Sequence, residues 1–251
     1  APAPAAVDDK VVSQTNFLKG FLAQLNDKSQ PSILDGLYQI AITNAAILYE
    51  DKSLNVLWKS RNSDIMFTRQ KGGLLVDSIA NVEMGEKPDA YIRGNLYYSW
   101  QTAKPNGVVY FTSFNPSLLV QYSEKFKDLA GINLPLKGSV SFEMDKDFRL
   151  GYGRFVMGSE AGTFNALDLY PTPLAVKKFY MQGRFEASTR QAILEHLTVD
   201  FDGPKAEIQA QVQKGPEGHF LQVKGVLENM PMDQLKTYWP EKLTPDPRSW
   251  V

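Results

Sequence analysis

The sequence predicts a mainly β protein: one large curved antiparallel sheet, an open gutter or a partly closed one, with two or three short amphipathic helices packed on it. Three observations carry that expectation. Apolar residues recur with period two through most of the chain after Leu37, as in strands buried on one face. Turn chemistry separates the runs at the spacing of antiparallel hairpins. Aromatic residues are frequent, with 11 Tyr, 14 Phe and 4 Trp, and such side chains fit a pleated, half-buried surface.

Residues 1–12, which open Ala1-Pro2-Ala3-Pro4-Ala5-Ala6, read as a linker. They lack the basic start and apolar run of a signal peptide. Residues 13–251 read as a single β-rich domain. Phe17, Leu18, Phe21, Leu22 and Leu25 share one helical face, with Thr15 or Asn16 as cap. Strand patterns follow: Ile40 and Ile42; Leu54, Val56 and Trp58; Ile92, Leu96, Tyr98 and Trp100. Asn115, Pro116 and Gly131 bracket an internal helix whose stripe is Leu118, Leu119, Tyr122, Phe126 and Leu129.

Further strands carry Val140, Phe142 and Met144, then Leu197, Val199 and Phe201, then Ala206, Ile208, Ala210 and Val212. In the last, Glu207, Gln209, Gln211 and Gln213 form the opposite, wet face. Asp145-Lys146-Asp147, Asp202-Gly203-Pro204 and Lys214-Gly215-Pro216-Glu217-Gly218 supply turns. The order of helices and strand runs allows two repeats of one unit, but no residue-level self-similarity supports them. A final short helix from Pro231, with Leu235 and Tyr238 on one side, leads to a Trp239-Pro240 break and a second indole at Trp250.

With 43% apolar and 22% charged residues, the chain has an ordinary globular composition. A net charge of −1, without like-charge blocks, argues against a nucleic-acid partner. Cysteine is absent, which excludes disulfides, thiolate metal sites and thiol nucleophiles without locating the protein. No apolar run of about 18 residues occurs, so no helical membrane span is expected.

Catalytic constellations are missing. His196 and His219 sit on separate strands with no carboxylates at ligand spacing, so no metal is expected. Gly158-Ser159-Glu160-Ala161-Gly162 has its serine in the wrong place for a nucleophile elbow and leads into a strand. Gly151-Tyr152-Gly153-Arg154 misses the dinucleotide spacing and reads as a glycine-kinked strand. Asp145 with Asp147, and Asp200 with Asp202, are turn residues. Neither an enzyme nor a cofactor is expected.

Two stretches carry a resemblance. The first runs from Tyr38-Gln39-Ile40-Ala41-Ile42-Thr43-Asn44-Ala45-Ala46 through Trp58 and Asp64–Arg69 to Gly73-Leu74. The second runs from Phe114-Asn115-Pro116 through Leu134-Pro135-Leu136-Lys137-Gly138 to Tyr238-Trp239-Pro240 and Arg248-Ser249-Trp250. Together they resemble the AsmA-like family, the group that includes YhdP and TamB, and specifically an interior piece of a YhdP-type member. The resemblance implies a non-enzymatic segment of a periplasmic conduit carrying phospholipid between the inner and outer membranes of a Gram-negative bacterium. It implies a parent chain anchored in the inner membrane outside this segment.

A conduit needs an apolar sheet face left partly uncovered. Its candidate lining residues are Ile92, Leu96, Tyr98, Trp100, Val140, Phe142, Leu197, Val199, Phe201, Ile208 and Val212. The expected partner is a phospholipid or other acyl lipid. A closed sandwich would show the same alternation, because its inner face packs on itself. A structural module binding an envelope protein partner is the alternative function.

Overall fold

The structure, a computed structural model, describes residues 19–27, 36–51, 56–85, 89–165, 170, 172–215, 218–232 and 235–238. Eleven strands form one antiparallel sheet, in the order β1 (Gln39–Asp51), β2 (Val56–Arg69), β3 (Gly73–Val82), β4 (Ala90–Ser99), β5 (Pro105–Phe114), β7 (Leu136–Met144), β8 (Leu150–Ser159), β11 (Lys178–Glu186), β12 (Gln191–Asp200), β13 (Lys205–Gly215) and β14 (Gly218–Glu228). The sheet does not close: β1 and β14 are both edges. A separate small sheet holds β10 (Leu174–Val176), β9 (Gly162–Phe164) and β6 (Ile132–Asn133).

Because the strands meander, turns alternate between two rims. One rim carries only tight connections: Gln70–Gly72, Trp100–Lys104, Asp145–Arg149 and Ala187–Arg190. The other carries the long ones, from β3 to β4, from β5 to β7 and from β8 to β11. The long connections fold back over the sheet and supply β6, β9 and β10.

Three small apolar clusters result, all on the same sheet face. At the long-loop rim, Leu134, Leu136, Val176 and Val199 gather with Phe111, Met157, Phe179 and Leu197. Beside them Met84, Ala90 and Leu119 pack with Trp58, Val82, Phe114 and Phe126. At the tight-turn rim, helix α1 (residues 19–26) seats Leu22 and Leu25 against Leu74, Phe67, Tyr98, Trp100 and Phe148. Lys19 of α1 bonds Asp147 in the β7–β8 turn at 2.6 Å.

The predicted internal helix is instead two 3-10 segments, Pro116–Gln121 and Glu124–Leu129. Asn115 caps the first and Ser123 caps a new start seven residues after Pro116. That second cap, together with the Tyr122 hydroxyl donated to the Glu83 carbonyl at 2.7 Å, divides the stretch. Of the closing segment, a short helix α2 (Leu235–Tyr238) is described. Its Tyr238 ring lies 5.5 Å from Phe201, and its Tyr238 carbonyl accepts from the Tyr170 hydroxyl at 3.2 Å. Residues 1–12, Thr15, Asn16, Phe17, Leu18, Leu54, Trp239, Pro240 and Trp250 lie outside the described residues.

Leu134 is fully buried whereas Val223 on edge strand β14 is 58% exposed. Leu134→Ala is therefore expected to lower unfolding free energy by about 2–5 kcal/mol. Val223→Ser should stay within about 0.5 kcal/mol. Urea titration of both variants checks the contrast, and equal losses would contradict it.

Candidate functional site

Residues paired directly across an antiparallel ladder share a face, so the register determines which side chains lie together. Ile92 pairs Phe111, Leu96 pairs Gly107 and Tyr98 pairs Pro105. Val109 pairs Val140, and Val140 in turn pairs Phe155. Met181 pairs both Met157 and Leu197, Leu197 pairs Ile208, and Ala210 pairs Val223. Towards the other edge Val76 pairs Phe67, which pairs Ile40, and Ile65 pairs Ile42. One face of all eleven strands is thus apolar. Arg69, Asp51 and Lys214 mark its rims, and no charged residue lies between those rims in the described registers.

The opposite face is polar. There Gln182 donates to Glu195 at 2.7 Å, and Arg184 and Arg154 pair with the same carboxylate. The Gln182 amide, followed by Arg184, holds the Glu195 carboxyl below its usual range against the opposing effect of desolvation.

All the sequence-predicted lining residues fall on the apolar side, but they divide into three groups. Tyr98 and Trp100 lie under α1, and Trp100 stands just past the end of β4. Leu197, Val199 and Phe201 lie against the small sheet's cluster. Ile92, Leu96, Val140, Phe142, Ile208 and Val212 belong to none of the clusters and remain half-exposed. They form an uncovered strip with Ile65, Val109, Phe155, Met181, Leu194 and Val223, which the period-two reading missed. In β5 and β8, continuous apolar runs such as Val108–Phe111 and Phe155–Met157 hide the alternation. In β12 a bulge between Leu194 and Leu197 inserts one residue and shifts the phase.

Glycines shape the strip. Phe142 crosses from Gly107, and a Cβ added at Gly107 would meet its ring at 3.0 Å. Phe155 pairs Gly183, where an added Cβ would lie 2.5 Å from the ring and from the Ile193 carbonyl oxygen. Large rings thus lie flat over glycine backbone, which keeps the floor smooth.

At the α1 end of the strip, Phe21, Leu25, Leu37, Tyr38, Ile40, Phe67 and Leu74 enclose an apolar pocket of about 170 Å³. The Arg69 guanidinium donates to the Leu25 carbonyl at its edge.

The carboxylate pairs serve turns. Asp145 accepts from the amides of Asp147 and Arg149 at 2.8 and 3.0 Å, and Asp200 accepts from Asp202 at 2.9 Å. His196 shares a 2.7 Å bond with Thr198. Among the described residues no group of His, Asp and Glu is arranged to hold a metal ion. No helix there is long and apolar enough to cross a membrane. No family model, curated protein or solved structure matches this chain.

Gly183→Ala is expected to destabilise the fold by about 1–3 kcal/mol through overpacking against Phe155 and the β12 backbone. An unchanged urea midpoint would refute that crowding. Acid should also loosen the sheet. Lys19 lowers Asp147, Lys137 lowers Glu160, Lys177 lowers Asp202 and Gln182 lowers Glu195. Depressed carboxylates stabilise the fold fully above their ordinary range and lose that contribution as pH falls through their folded-state values. Urea midpoints measured between about pH 5 and pH 3 should therefore decline with acidification.

Proposed function

We propose that the chain is a non-enzymatic lipid-binding module whose uncovered apolar strip holds acyl chains. One observation carries this reading: an apolar floor without charges crosses all eleven strands, and the described residues cover it only near its rims. Strands spaced about 4.8 Å apart make a floor about 48 Å long, more than the ~30 Å of a bilayer's hydrocarbon core. Each methylene withdrawn from water onto it contributes about 0.8 kcal/mol, so a chain of ordinary length is held without a polar anchor. Among the described registers no charged residue interrupts the floor, which suits a lipid that slides along it. A periplasmic conduit between membranes, moving phospholipid, is the setting this reading adopts.

A second reading draws on β14. Its Phe220 and Val226 are 66% and 52% exposed on the polar side, while Leu221 and Val223 are exposed on the apolar side. An edge strand apolar on both faces favours an added strand from an envelope protein partner.

Lipid extracts of the purified chain, read by mass spectrometry, should contain bound acyl lipid. Leu96→Asp and Val140→Asp, each placing a charge on the floor, should lower retained lipid about tenfold or more. The reading fails if the wild-type chain carries no lipid and a photoactivatable acyl probe labels nothing along Leu96, Val140 and Phe155. Labelling confined to β14 by a protein partner would favour the second reading.

A further inference from the structure

The two rims of the apolar floor differ in how their charges are satisfied. At the long-loop rim four cations are paired with neighbouring carboxylates: Arg61 with Glu83 at 2.5 Å, Lys137 with Glu160 at 2.8 Å, Lys177 with Asp202 at 2.8 Å and Lys205 with Glu207 at 2.6 Å. Lys59, Lys127 and Lys178 are exposed there without an ion pair among the described residues, and Lys59 and Lys178 stand in registers of the polar face. The tight-turn rim is different. Lys71, Lys104, Lys146, Arg149, Arg190 and Lys214 are all exposed there, and none makes an ion pair among the described residues. The carboxylate of Asp147 in that rim is already engaged by Lys19. Asp145 is occupied by the backbone amides of its own turn.

Cover is distributed in the same sense. Beyond the β7–β8 turn, where Lys19 of α1 meets Asp147, no described helix or loop overlies the tight-turn ends of β8, β11, β12 and β13. Phe185 and Leu221 are 36% and 61% exposed at that side. Three basic residues stand at its margin. Arg149 leads into β8 and Arg190 closes the β11–β12 turn. Lys214 continues the apolar register two residues beyond Val212, and its amide bonds the Arg190 carbonyl at 3.2 Å. The last two are therefore neighbours on the open margin.

We infer that the floor is sided: lipids lie with their acyl chains across the strands and their headgroups over the tight-turn rim, where Arg149, Arg190 and Lys214 select phosphate-bearing, net-anionic headgroups. The inference rests on the lipid-binding reading above. A cation near an anionic headgroup gains from Coulomb attraction in a partly desolvated margin, whereas each paired cation opposite is offset by a neighbouring carboxylate.

The test uses the whole purified chain and fluorescent phosphatidylglycerol and phosphatidylcholine carrying identical acyl chains. Phosphatidylglycerol should bind at least about fivefold tighter, the worth of roughly one basic residue beside an anionic headgroup. That preference should shrink in high salt. The triple variant Arg149→Gln, Arg190→Gln, Lys214→Gln should lose it while still binding phosphatidylcholine as the wild-type chain does. The control Lys137→Gln, Lys177→Gln at the other rim should keep it. Glycerol phosphate without acyl chains should not compete.

If both lipids bind the wild-type chain equally, or if the triple variant keeps the preference, the sidedness is wrong and the apolar floor stands. If only the long-loop variant loses the preference, the headgroups lie over the opposite rim and the inference is overturned. If neither lipid binds a chain whose circular dichroism is native, both readings fall together.

Discussion

Everything in this structure depends on phase. In a strand the side-chain period is two, and a slip of one residue would carry every apolar group to the wet face. Eleven strands therefore have to agree on parity, and each hydrogen-bonded neighbour passes that parity on. Bulges preserve the agreement. Steps of three from Ile42 to Ala45, from Ser60 to Ser63, from Phe111 to Phe114 and from Leu194 to Leu197 replace steps of two, and the apolar series resumes on the same side. At two of them a residue takes the left-handed conformation, Asn44 with φ 51° and Ser113 with φ 57°. Asn44 is steadied by donating its amide to Asp64 at 2.7 Å.

A sheet with that parity has one face to hide, and the described residues outside the sheet cover only part of it. The covering material comes from α1 and from the long connections at one rim, and it is used near the rims. This gives three separate small clusters in place of a single continuous core. The midline of the face remains half-exposed, with the edges more so: Tyr49 is 61% and Leu221 61% accessible. Contiguous apolar surface on that scale is uncommon on a protein that works alone in water. Stability is therefore distributed along the hydrogen-bonded ladder and held at the rims, and the midline side chains belong to none of the three clusters.

Much of this was legible in the sequence where strands alternate cleanly. The β13 series Ala206, Ile208, Ala210 and Val212 against Glu207, Gln209 and Gln211 shows both faces outright. Ile92, Leu96, Val140 and Phe142 were found for the same reason. Two things hid the rest. Strands such as β5, with Val108, Val109, Tyr110 and Phe111 in succession, bear apolar side chains on both faces, so parity becomes visible only through a neighbour's register. Bulges break the count, which is why Leu194 was missed while Leu197 was found. Nor does alternation distinguish a face covered by its own chain from one left open. That depends on where the long loops fold, and only tertiary structure places Leu134 and Val176 over Val199 while leaving Val140 outside every cluster.

The sidedness of the rims follows from the same topology. A meander sends successive turns to opposite ends, so insertions made in alternate connections accumulate on a single rim. Here the long connections bring Glu83 and Glu160, which meet Arg61 and Lys137, and bring Lys177, which meets Asp202 in the short β12–β13 turn. The tight hairpins have no length for such partners. Ala103, Phe148 and Arg190 take the left-handed positions in those hairpins, and the basic residues Lys71, Lys104, Arg190 and Lys214 face solvent. The tight-turn rim thus keeps unpaired positive charge, and Lys214 carries it into the register of the apolar floor itself. An amphiphile lying across the strands meets an asymmetric pair of margins, and the electrostatic difference between them orients it.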